Sequence, residues 1–157
     1  MEDSNEKFMR RAIAISEESM HSGGGPFGAV IVKNGKIIAE SGNSVTKEND
    51  PTAHAEVNAI RKAAKKLGTF DLSGCIIYAS CEPCPRFLGA IYWAHISRIY
   101  YCNTHTAAAE IGFDDAYIYD EMALPTSGRH VPTERILPGE GDYVFQEWKN
   151  SNSVTRY

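Results

Sequence analysis

The chain has 157 residues, of which 43% are hydrophobic and 23% charged. This length and usage fit one globular domain and exclude disordered, fibrous and membrane-spanning classes, since no run approaches the ~18 apolar residues of a spanning helix. Sixteen Lys and Arg against twenty Asp and Glu leave a net charge of −4, and the absence of a basic stripe speaks against nucleic acid as a partner. The start, MEDSNEKFMRRA, mixes both charge signs without an apolar core, so it predicts no secretion signal and a cytoplasmic protein. In a reducing compartment the four cysteines, Cys75, Cys81, Cys84 and Cys102, read as buried or metal-bound rather than disulfide-bonded.

Residues 5–21 carry Phe8, Ala12, Ile15 and Ser19 at spacings of three to four, which predicts an amphipathic helix ended by Gly23-Gly24-Gly25-Pro26. Two apolar runs, residues 29–32 and 36–39, flank Asn34-Gly35 and predict a β-hairpin with a type I′ turn. Asp50-Pro51 predicts an N-cap followed by proline, opening a helix that runs to about Leu67 before Gly68. Its Arg61, Lys62, Lys65 and Lys66 form a solvated face. Residues 75–79 predict a short buried strand, Pro83 introduces a helix through Ala94, and residues 98–102 predict another strand. Cys75 and Cys102 therefore belong to the expected core. Short helices are expected over 112–121 and 142–150. The order of elements predicts an α/β fold with a mixed sheet and helices on both faces.

The pattern that bears chemistry is His54-Ala55-Glu56 followed by Pro83-Cys84. Residues two apart on a helix diverge by about 200°, so His54 and Glu56 serve one site only if it lies over the first turn. Pro83-Cys84 places a thiol at the start of a second helix. Helix N-termini favour a thiolate and a nearby hydroxide. A zinc ion on His and Cys lowers the pKa of bound water toward ~7, and a carboxylate beside it moves the proton to a leaving amine. His95 and His105, without companions at metal spacing, read as surface or satisfied polar side chains. Tyr100, Tyr101, Tyr117 and Tyr119 read as core or interface aromatics.

These residues resemble the zinc-dependent cytidine/deoxycytidylate deaminase-like family, whose signature is H-x-E…P-C-x-x-C. Within it the chain is similar to the small bacterial guanine deaminases. The supporting stretches are Gly25-Pro26-Phe27-Gly28-Ala29, Asn43, residues 50–56, residues 80–85 and Gly112-Phe113-Asp114-Asp115. The resemblance implies a three-layer α/β/α cytidine deaminase-like fold and hydrolysis of guanine to xanthine and ammonia. It implies Zn2+ on His54 and Cys84, and Glu56 as the proton shuttle. It further implies a purine base held by Phe27, Asn43, Asp115 and Tyr157, with Trp93 as an additional stacking surface. A single domain over 1–157 is expected, with 122–157 closing the site or swapping onto the partner of a homodimer. Val144, Phe145 and Trp148 in that segment are expected to pack.

The chain departs from the family pattern at one position. Phe87 stands where the signature has its second Cys, and a phenyl ring binds no metal. Cys81, at C-x2-C spacing from Cys84, is the alternative third donor. Other readings also stand. One is a tRNA adenosine or cytosine-type deaminase, and the acidic balance and Gly-Phe-Asp-Asp argue against the former. Another is a catalytically impaired relative persisting as a homodimer. A zinc-knuckle module is disfavoured by the single close Cys pair.

Overall fold

The computed structural model describes residues 3–157, so the first two residues of the charged start lie outside it. Helix α1 (Ser4–His21) is capped by the Asp3 carboxylate, which accepts from the Asn5 amide at 3.2 Å. Strands β1 (Gly28–Lys33) and β2 (Lys36–Gly42) form the hairpin. Asn34 and Gly35 have φ of 50° and 73°, the left-handed pair that a type I′ turn requires. The chain continues through α2 (Val45–Glu48), α3 (Ala55–Leu67), β3 (Cys75–Cys81), α4 (Pro85–Trp93), β4 (Arg98–Asn103) and α5 (His105–Glu110).

The four strands lie in the order β2-β1-β3-β4, antiparallel except for the parallel β3–β4 pair. A parallel pair needs a crossover, and α4 supplies it. Alternation along β1 sorts two cores. Ala29 and Ile31 pack with Ile77 and with Ala55, Ala59 and Ile91 of α3 and α4. Val30 and Val32 face the other way, onto Ala12 and Ile15 of α1 and onto Tyr78. The sheet is thus covered on both faces, as the pattern of elements predicts, and the fold is the cytidine deaminase-like three-layer arrangement.

Several boundaries differ from the sequence reading. Asp50 does not cap α3. Its carboxylate accepts from the Thr52 amide at 2.8 Å and the Thr52 hydroxyl at 2.6 Å, closing a local turn, and the helix begins five residues later with His54 as its N-cap. In α4 the proline in the first turn is Pro85, with Cys84 as the cap. Cys102 is exposed rather than core, because β4 ends the sheet with no strand paired beyond it among the described residues. Gly24 serves a close approach: a Cβ there would overlap the Asn43 carbonyl oxygen and sit 2.6 Å from the Ser19 hydroxyl.

Residues 3–115 fall in one compact unit and Ala116–Tyr157 in a second. The second holds α6 (Ala116–Ala123), a 3-10 turn (Thr126–Gly128) and α7 (Asp142–Asn150). Within it the Glu121 carboxylate accepts from the His130 amide at 2.9 Å, and the Arg156 guanidinium donates to the Trp148 and Lys149 carbonyls at 3.2 and 3.1 Å. Val144, Phe145 and Trp148 lie on α7 and are 50%, 78% and 41% exposed in the single chain. No helix among the described residues is long and apolar enough to cross a membrane.

Candidate active site

Two helix starts and one strand end build the site. His54 caps α3 with extended backbone, and Glu56 sits in the first turn behind it. Cys84 caps α4 in the same way, with φ −71° and ψ 167°. Proline at the next position suits a helix start because no N–H is needed there. Cys81 closes β3. These residues line one cavity of about 250 Å³, with Phe27, Phe87, Phe113 and Asp115 among its other walls. Phe27 and Phe113 meet edge to face, their ring centroids 4.9 Å apart.

Burial decides the charge states. Glu56 is 4% exposed, and loss of solvation pushes its carboxyl up to about 7, against the smaller opposing pull of its own backbone amide and of Arg86. His54 moves down to about 4, first by burial and then by the Arg86 charge, so its imidazole is neutral near pH 7 with a lone pair to offer. The Cys84 thiol is pushed up because burial outweighs the hydrogen bonds from the Phe87 and Arg86 amides. Without a metal, Cys84 is therefore a thiol, whereas the helix N-terminus alone suggests a thiolate. Burial drives Cys81 up to about 11 and raises Asp115 as well.

The structure brings His54, Glu56, Cys84, Phe27 and Asp115 to one cavity. Asn43 is buried and lines an adjoining cavity, with which His54 and Phe113 are shared. Trp93 lies at the far end of α4, 66% exposed, and does not line the cavity. Tyr157 belongs to the second unit. His95 and His105 pair with Asp71 and Glu82 at 3.5 and 2.7 Å, which agrees with their reading as satisfied polar groups.

Sequence reasoning missed Arg86 and Phe113. Arg86 lines the cavity, donates to the Pro51 carbonyl at 2.6 Å and holds its guanidinium 5.5 Å from the centroid of the Phe87 ring. A cation in the first turn of a helix opposes the helix dipole, and that local conflict is the signal available in the sequence.

A catalytic zinc usually takes three protein ligands and leaves a fourth position for water. Among the described residues no group of three His, Cys, Asp or Glu side chains is placed to hold a metal ion. His54 and Cys84 supply two donors. At the third position Phe87 packs its ring 4.1 Å from the His54 ring. The residues present do not complete a zinc site.

The family model for the cytidine and deoxycytidylate deaminase zinc-binding region matches residues 2–103. A guanine deaminase of Bacillus subtilis (strain 168) is 52% identical over 154 residues, covering 98% of this chain and 99% of that protein. The X-ray structure of guanine deaminase from Bacillus subtilis superimposes with a TM-score of 0.94 over 97% of this chain and 98% of that one, at 52% identity. A tRNA-specific adenosine deaminase of Aquifex aeolicus is 39% identical over 94 residues, which is 60% of this chain and 62% of the relative. With two-thirds of its length matched by the family model and its fold superimposed nearly end to end on a relative, the chain belongs to the zinc-binding cytidine and deoxycytidylate deaminase family.

Proposed function

We propose that this protein hydrolyses guanine to xanthine and ammonia in the cavity between the starts of α3 and α4. The observation that carries the reading is Glu56: a buried carboxyl held at about 7, facing a cavity it shares with two potential metal donors. A group poised near the working pH both accepts and returns a proton efficiently. In this reading water adds to C2 of the purine. Glu56 takes one proton of the water and passes it to N3, then takes the second from the new C2 hydroxyl and delivers it to the exocyclic amine, so that the C2–N bond breaks, C2 keeps the oxygen as a carbonyl and ammonia leaves. Zinc belongs to the reading with His54 and Cys84 as donors, one short of the usual three.

The base stacks on Phe27, while Asp115 and Asn43 supply orienting hydrogen bonds. The Asn43 Oδ1 already accepts from the Val45 amide at 3.1 Å, which leaves its N–H groups to donate. Tyr157 and residues 122–157 complete the proposal as the segment that closes over the base, in a homodimer. A cytoplasmic location goes with it, supported by four free cysteines.

The end-to-end likeness to a guanine deaminase supports guanine over other bases. A cavity of about 250 Å³ lies below the ~300–1,000 Å³ of drug-sized pockets and suits a free base better than a nucleotide in a tRNA loop. Ammonia release by the full-length chain, with zinc supplied, tests the proposal. Guanine is the expected substrate, with adenine and cytosine at least ~100-fold slower because a buried polar site rejects analogues lacking its partners. Equal release from adenine would contradict it.

A further inference from the structure

The donor count and the surroundings of Phe87 carry a conclusion about the metal. His54 and Cys84 stand at two helix starts and line one cavity. Cys81 lines it too, yet no three-donor group exists among the described residues. The Cys81 sulfur is instead 3.8 Å from the Thr104 carbonyl oxygen, to which it donates. Phe87 is 4% exposed, and its ring covers the His54 ring at 4.1 Å. Above Phe87 lies the Arg86 guanidinium, 5.5 Å from the ring centroid and held by the Pro51 carbonyl at 2.6 Å.

We infer that Phe87 and Arg86 convert the metal centre of this chain into a two-donor, exchangeable site that binds zinc weakly and reversibly. Three effects act together. A thiolate and its negative charge are absent. The phenyl ring lies against one donor, and the Arg86 cation lining the same cavity repels a divalent ion. Losing a residue that only supports a ligand costs ~10–100-fold in metal affinity, so losing a ligand itself costs at least ~100-fold. The inference rests on the proposed zinc chemistry only for its consequence, that turnover follows the free zinc concentration. The binding claim stands apart from it.

The test is zinc affinity by competition with a chromophoric chelator on the full-length chain, together with zinc stoichiometry after dialysis. For the native chain the expected dissociation constant is micromolar or weaker, and the dialysed protein is expected to be nearly metal-free. Phe87→Cys is expected to bind at least ~100-fold tighter and keep about one zinc per chain. Phe87→His keeps an aromatic ring in the same volume while adding a nitrogen donor, and is expected to shift the same way. Cys81→Ala is expected to leave the native affinity unchanged. A nanomolar native affinity would overturn the inference whether or not the Phe87 variants fold. Loss of zinc in Cys81→Ala would also overturn it, by making Cys81 the third donor. If zinc-loaded Phe87→Cys binds metal as expected but releases no ammonia from guanine, the proposed activity fails and the metal inference survives.

Discussion

Glu56, in the first turn of α3, has almost no solvent contact, and that burial has a measurable sign. Below about pH 4.5, the ordinary value, the carboxyl is protonated in the folded and unfolded chains alike; the folded value is about 7. As pH rises from 4.5 to 7, the unfolded chain ionises first, so burial of the neutral acid costs stability over that window and the loss levels off above 7. The full cost is on the order of 3 kcal/mol. His54, depressed to about 4, acts oppositely, losing stability as pH falls below 6.5, so the two partly cancel in the native chain. Glu56→Gln separates them. With a chelator present, its Tm relative to the native chain is expected to rise by several degrees between pH 5 and pH 8. A pH-independent difference would show that Glu56 does not titrate as burial requires. His54, Glu56 and Cys84 are legible in the sequence because their spacing lies within single helix starts. Arg86 and Phe113 are not, because a carbonyl from Pro51 and an edge contact with Phe27 place them in the site.

At the scale of elements, the parts with a clear period were legible: α1, the Asn34-Gly35 hairpin, β3, α4 and α7. The short helices α2 and α5 were not, because four and six residues are too few to display one. Helix α5 is set by the Thr104 hydroxyl, which accepts from the Ala107 amide at 3.1 Å. The start of α3 was misplaced for a chemical reason. Aspartate stabilises both helix caps and tight turns through the same carboxylate geometry, and Asp50 is used in the second way. The consequence falls on the site. Starting at Ala55 leaves His54 extended at the cap and Glu56 in the first turn, so both side chains address the cavity although they would diverge on a helix flank. Capping also sets Cys84, so two independent helix starts converge on one volume.

For the whole molecule, the mixed sheet and its two helical layers follow from alternation along β1, whereas the surroundings of residues 116–157 do not follow from any local pattern. Val144, Phe145 and Trp148 keep helical spacing but stay exposed on this chain. Large apolar side chains exposed along one helix are a feature of interaction surfaces, which fits the proposed homodimer in which the C-terminal segment closes a site. Stopping the chain after Asn152 removes Tyr157 while sparing α7. Calorimetric titration with guanine is expected to show weaker binding by the shortened chain, with a smaller effect on Tm. Equal affinities would leave the tail as packing alone.

Hydrolytic deamination of guanine through Glu56 is the central claim, and the rate of ammonia release from guanine by the Glu56→Gln chain tests it most directly, in zinc-supplemented buffer beside the native protein. The substitution keeps shape and removes the proton shuttle, so the rate is expected to fall by ~10²–10⁴-fold while guanine still binds. A native rate in Glu56→Gln, or native protein that releases no ammonia from guanine with zinc bound, would contradict the account.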